Sequence, residues 1–196
     1  MALGEVQAAL ARLFTDAAAR ADFFHDPESA GRAFGLDESD AARLAALAPQ
    51  ALRQFAGGLK AKRMLDARKT TPLTARALGG AFADHFRAAV ASLRQDASRA
   101  EEAQALAARL AGLAAAQAIA PLWIGDLARY EAAFAEAATR RLGLRVHLFR
   151  YPVGAIAASL CTGAAVGEVA PHMTLGVWAR RSGGRLLHRL WPSSPR

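Results

Sequence analysis

The sequence predicts an α+β fold: an N-terminal multi-helix array followed by a small C-terminal antiparallel β-sheet packed on the helices. Three observations carry that expectation. Capping residues and helical apolar spacing recur from the N-terminus to about residue 141. Gly143 then opens LRVHLFRYPV, where β-branched and aromatic residues alternate with others in the two-residue period of a strand. Finally, Ser182-Gly183-Gly184 divides the run 172–191 into two strand-like halves, as a hairpin turn does. The expected domains are a helical domain, 1–141, and a small basic β-module with a C-terminal tail, 142–196. So small a sheet does not stand alone in water, hence the expectation that it packs on the helices.

Residues 3–14 form an amphipathic pattern with Leu3, Val6, Leu10, Leu13 and Phe14 on one side. Thr15-Asp16 supplies an N-cap for a second short helix carrying Phe23 and Phe24. Asp26-Pro27 repeats the signal, with proline at the first helical position, and Gly35 is a natural stop. Asp37 or Ser39 caps the next helix, which holds Leu44 and Leu47. A longer helix runs from Pro49 to Arg68 with Leu52, Phe55, Leu59 and Met64 facing inward. Gly57-Gly58 interrupts it. Each glycine costs about 1 kcal/mol against alanine in a helix interior, so a kink or a close helix crossing is expected there.

Thr71-Pro72 starts another helix with Leu73, Ala77 and Leu78 inward, before Gly79-Gly80 loosens the chain. Phe82, Phe86, Val90 and Leu93 continue the pattern. Ser98 caps an alanine-rich helix bearing Leu106, Leu110 and Leu113, a smooth surface for close packing. The last helix starts at Pro121 as a first-turn residue and ends near Arg141. Its Trp123, Leu127, Tyr130 and Phe134 share one face, with Asp126, Arg129 and Glu136 on others. That stripe marks the core helix expected to join the helices to the sheet. In the first strand, Val146 and Leu148, with Tyr151 in line, fall on one side and Arg145, His147 and Phe149 on the other. AIAASL, residues 155–160, is a second and weaker strand candidate.

The 196 residues suffice for a sizeable core, although much of the 53% hydrophobic fraction is alanine, which buries little area per residue. No run approaches the ~20 apolar residues of a membrane span, and the N-terminus does not read as a signal peptide. A single cysteine, Cys161, excludes an internal disulfide and a cysteine-rich metal cluster. In its small apolar stretch it reads as an inert core thiol. A cytoplasmic location is expected.

Charge is unevenly placed. Residues 142–196 hold seven arginines against Glu168 alone, a balance of +6 out of the chain's +8. Such a module suits an acidic partner: nucleic acid, an acidic peptide or an acidic protein surface. The densest basic segment is Lys60, Lys62, Arg63, Arg68 and Lys69. At 100° per residue these form no single stripe, and cations in a last helical turn also favour the helix dipole.

Catalytic constellations are not evident. The five histidines share no i, i+4 pair, and His147, His172 and His188 in the predicted sheet have no metal-site spacing. There is no G-x-S-x-G, phosphate-binding loop or dinucleotide fingerprint. Glu101-Glu102 opens a helix, where anions are favourable. No catalytic or metal-ligating residue is assigned, and no cofactor is expected in this chain.

Several stretches nevertheless carry a resemblance: FFHDPESAGRAFGLD (23–37), LKAKR (59–63) leading through RKTTPLTARALGGAF (68–82), PLWIGDLARYEAAF (121–134), and the turn into LRVHLFRYPV. Together they resemble the accessory (partner) subunits of multinuclear-iron TIM-barrel oxidases in ribosomal-peptide natural-product (RiPP) biosynthesis. The methanobactin biosynthesis partner protein is one such subunit, and the likeness is to the broad group. The resemblance implies a helical N-terminal part, a small β-module and a non-catalytic subunit of a heterodimer. That subunit grips the leader of a precursor peptide and docks it on the oxidase, which modifies cysteines in the peptide core. Iron then belongs to the partner enzyme.

The resemblance transfers no individual residue, so the candidates rest on charge and position. Arg145, His147, Phe149, Arg150, Arg180 and Arg181 are the candidate peptide-binding residues, on a sheet whose edges accept an extended chain. Arg63, Arg68 and Lys69 are the candidate partner-binding residues. The alternative is a nucleic-acid-binding regulatory protein, suggested by a pI near 10.9 and the basic segment at 60–69, though no helix-turn-helix signature supports it. A hydrolase or metalloenzyme assembled from distant segments is the third class.

Overall fold

In a computed structural model the structure describes residues 3–94, 96–139, 143–180 and 184–192. The chain divides into two compact units, Met1–Arg63 and Met64–Arg196. The boundary expected at 141/142 falls inside the second, because sheet and helices share one core there.

The first unit contains α1 (Leu3–Thr15), α2 (Ala17–His25), α3 (Pro27–Ala33), α4 (Glu38–Ala45) and the beginning of α5 (Pro49–Thr70). Its starts follow local capping chemistry. Asp16 accepts hydrogen bonds from the backbone N–H of Ala18 and Ala19, and Asp26 from Ser29 with Pro27 in the first turn. Asp37, rather than Ser39, caps α4 by accepting from the Asp40 N–H, while the Ser39 hydroxyl donates to the Asp37 carboxylate. Gly35 has φ 77°, the left-handed residue that ends α3. Leu13, Phe23, Leu36, Leu44 and Leu52 form the core, with Phe34 stacked on Phe23.

The inward expectation fails for Phe55 and Leu59, which are exposed, and Leu47 lies beyond the end of α4, also exposed, rather than within that helix. The Phe55 ring lies against Phe14, centroids 4.4 Å apart. Helix α5 runs through Gly57-Gly58, and a Cβ at either position meets nothing within 4 Å, so among the described residues no helix crosses closely there.

The second unit takes the end of α5, then α6 (Pro72–Leu78), a 3₁₀ turn at Gly79–Ala81, α7 (Phe82–Val90), α8 (Arg99–Ala115) and α9 (Ile124–Thr139). After them come β1 (Gly143–Phe149), α10 (Val153–Thr162), β2 (Thr174–Arg180) and β3 (Leu186–Pro192). Ser98 and Glu101 form a reciprocal capping box at the start of α8. The alanines of α8 let α9 approach closely: a Cβ on Gly125 falls 2.9 Å from Ala111 Cα.

Helix α9 is the centre of this unit. Its Ala128 and Ala132 join Phe82, Phe86, Leu106 and Leu110 in one core cluster. Ile124 and Leu127, with Trp123, pack on Tyr151, Ile156 and Leu160. Ala133 and Ala137 meet Phe149, Val153 and Trp178. The expected joining role of this helix therefore holds.

The sheet is antiparallel in the order β1-β2-β3, with Val146 opposite Val177 and Val177 opposite Arg189.

Three local expectations are corrected. Residues 155–160 belong to α10, not to a strand: Val153, Ile156, Ala157 and Leu160 bury one helical face, and Gly163 at φ 76° closes it. Pro121 lies in the turn before α9, after a cis bond from Ala120, and the helix begins at Ile124. Cys161 is exposed on α10 rather than buried. The end of the last helix near Arg141 and the turn residues Ser182-Gly183 lie outside the described residues; Gly184 of that turn is a described bend. Among the described residues no helix is long and apolar enough to cross a membrane.

Candidate functional site

The site is best built from the two carboxylates that fix its supporting helix. Both are buried on α9, and both serve backbone far away in sequence. Asp126 Oδ2 accepts from the N–H of Arg150 at 2.6 Å and of Tyr151 at 3.0 Å, pinning the exit of β1. Its Oδ1 accepts from Arg129 at 3.0 Å. Glu131 accepts from the N–H of Leu73 at 2.8 Å and of Thr74 at 2.7 Å, so a side chain of α9 caps α6. Burial pushes the Glu131 carboxyl above the usual carboxylate range, while the Thr74 and Leu73 hydrogen bonds pull the other way.

On this platform each strand presents one row to α9 and one row outward. The inner rows are rich in rings. Trp178 and Phe149 are fully buried, packed edge-on at 6.1 Å, with Tyr130 and Phe134 of α9 against them. The indole of Trp178 folds back over Gly176, where a Cβ falls 2.7 Å from the ring. His147 and His188 stand on either side of the indole, at centroid distances of 5.5 and 6.2 Å, and the Tyr130 hydroxyl reaches His188 Nε2 at 3.4 Å. Burial pushes the Tyr130 hydroxyl's pKa up. Two of the three sheet histidines thus converge on one tryptophan, while His172 precedes β2. Among the described residues no group of three or more His, Cys, Asp or Glu side chains is placed to hold a metal ion.

The sequence's candidate residues separate in the structure. Arg145 sits in the inner row and pairs with Glu136 of α9 at 2.7 Å. His147 also faces the helices, lining a cleft of about 300 Å³ with Arg129, Glu136 and alanines of α8. Phe149 is core. The Arg180 guanidinium donates to the carbonyls of Ala138 and Ala137, capping the end of α9 where the helix dipole is negative. The Arg150 side chain is exposed, its guanidinium 5.9 Å from the Tyr151 ring. Arg181 lies outside the described residues. Of the partner-binding candidates, Arg68 lies over Phe82 at 5.1 Å, Lys69 is exposed and Arg63 is half-buried. All three are on α5, and helical spacing points them in different directions.

The outward row is what the sequence reading missed. Leu144, Val146 and Leu148 of β1 are each more than half exposed, and Leu187 and Trp191 of β3 join them. The expected alternation along β1 is therefore present, but the charged and ring-bearing row faces the helices and the aliphatic row faces out. Glu136 and the aromatic stripe of α9 accept the arginine and the rings, which settles the choice. Strands β1 and β3 each pair with β2 alone, leaving one edge of each without a strand partner among the described residues. The arrangement offers a binding surface: backbone donors and acceptors at two edges, and an apolar face between them.

A search of protein families, of curated proteins and of solved structures found no match to this chain.

Proposed function

We propose that this chain is a non-catalytic, cytoplasmic accessory subunit that binds the leader of a precursor peptide and docks it on an iron-dependent oxidase acting on peptide cysteines. The observation that carries the reading is the C-terminal sheet, packed on α9, whose two outer strands each have an edge without a strand partner among the described residues. An extended peptide gains affinity there through main-chain hydrogen bonds, and alternate side chains give selectivity. The resemblance spread through residues 23–153 supplies the class of partner. Iron belongs to that partner.

Arg150 is an exposed cation beside the exit of β1, and Arg189 is an exposed cation on β3; both suit acidic leader residues. Arg145 and Arg180 contribute indirectly, by holding the strands on α9.

Co-expression with a multinuclear-iron TIM-barrel oxidase and a precursor peptide, should such a pair be encoded beside this gene, tests the reading. A co-purifying heterodimer that binds the leader peptide is the expected result. An oxidase and precursor that never associate with this chain would falsify it. The nucleic-acid alternative has less support, because the exposed sheet face is aliphatic; absence of an electrophoretic shift at low salt removes it.

A further inference from the structure

The outer face of the sheet has a composition unlike a solvated one. An antiparallel sheet that meets water normally alternates apolar-in with polar-out. Here the register builds three outward rungs: Leu148–Leu175–Trp191, Val146–Val177–Arg189 and Leu144–Ala179–Leu187. Eight of these nine positions are apolar. Leu144 is 63% exposed and Leu187 67% exposed. A contiguous apolar patch of this kind marks an interaction surface.

Size and charge specify the occupant. Three strands about 4.8 Å apart give a face roughly 10 Å across, and seven residues at about 3.3 Å make it roughly 23 Å long. One α-helix is about 10 Å wide, and some 15 residues at 1.5 Å rise cover that length. The ninth position is Arg189, whose guanidinium stands 5.4 Å from the Trp191 ring, and Arg185 immediately precedes the strand. Glu168 is the one acid in residues 142–196, and it lies outside the strands. A covering element therefore meets cations beside the apolar rungs. A second copy of the same sheet face brings arginine and no carboxylate, which disfavours self-pairing.

We propose that the outer face of this sheet seats one amphipathic α-helix of a partner protein, about four turns long, with its apolar stripe flanked by Asp and Glu. The seat concerns the outer face and not the edges. It stands or falls separately from the accessory-subunit reading.

The test uses the full chain and three synthetic peptides of about 15 residues. One carries a leucine stripe flanked by glutamates, the second has every glutamate replaced by lysine, and the third is the first with a central proline. Trp191 is exposed while Trp123 and Trp178 are buried, so a blue shift of tryptophan emission reports the seat directly. The glutamate peptide is expected to saturate one-to-one, and the lysine and proline peptides to bind at least about tenfold more weakly. Leu187→Glu and Val146→Ser, both at exposed positions and checked by circular dichroism and melting, are expected to lose about tenfold or more in affinity. The proposal is overturned by a glutamate peptide that fails to saturate by about 1 mM. Equal binding of the lysine peptide overturns it, as does unchanged binding by both variants. A dimer of the chain that Leu187→Glu dissociates also overturns it, by making a second copy the occupant.

Discussion

The two faces of the C-terminal sheet come from the same three strands, both are rich in apolar residues, and they have opposite fates. The inner face carries Arg145, His147, Phe149, Trp178 and Arg180, and its two arginines are committed to α9 while its rings pack against that helix. The outer face carries leucines, valines and Trp191, and it is open. Hydrophobicity alone assigns the aliphatic row to the core. The structure does the reverse, because α9 offers an aromatic stripe that matches rings and a Glu136 carboxylate that matches Arg145. Which row is buried depends on what the neighbouring element can receive.

The sharpest way to break this contrast is to truncate one side chain on each face. Trp178→Ala removes a fully buried indole and is expected to cost about 3–5 kcal/mol. Leu187→Ala, on the outer face, is expected to stay within about 0.5 kcal/mol of the parent. Chemical denaturation of both variants decides it. Equal losses mean that the outer face is buried in solution and the contrast is lost.

A smaller change probes packing rather than removal. Gly176→Ala places a methyl 2.7 Å from the Trp178 ring, which has no room to retreat, and overpacking of this kind costs about 1–3 kcal/mol. The next residue, Val177, belongs to the outer row, and Val177→Ala is expected to cost less. Thermal melting of this adjacent pair reads the face difference one residue at a time. If Val177→Ala is the more damaging, the two faces have been assigned the wrong way round.

Charge gives a third comparison, smaller again. Arg145→Ala breaks a partly buried pair with Glu136 and is expected to cost about 1 kcal/mol. Arg189→Ala loses an exposed contact with Trp191, worth about 0.5 kcal/mol. Denaturant midpoints that fall in the opposite order identify Arg189 as the structural cation.

What the sequence revealed and what it hid follow the range of the interactions concerned. Asp16, Asp26, Asp37 and Ser98 were legible as caps because a cap bonds backbone two or three residues ahead. The α+β order was legible because the period changes at Gly143. Helix α10 was misread because AIAASL taken alone lacks Val153, the residue that completes its helical stripe. The roles of Asp126 and Glu131 were hidden because their partners are 24–25 and 57–58 residues away. The outer face was hidden for a related reason: strand parity separates two rows but does not say which one a helix will cover.

The smallest expected effect is a pH dependence carried by His147. Burial holds this imidazole below its ordinary value of about 6.5, with the nearby Arg129 charge acting in the same direction. Its Nε2 is buried with no hydrogen-bond partner among the described residues, so none of them accepts the proton that an imidazolium carries there. The unfolded chain takes up that proton near pH 6.5, and the folded chain resists until a lower pH. The contribution of His147 to stability is therefore complete above about pH 6.5 and is lost as pH falls from there through the folded value. His147→Gln removes this component while leaving the carboxylates that titrate at lower pH. Melting temperatures of parent and variant, measured in steps from about pH 8 to about pH 5, are expected to differ in slope below about 6.5 and to run parallel above it. Parallel curves throughout mean that water reaches His147 as freely as it reaches the outer face, and the inner row is then not sealed against α9.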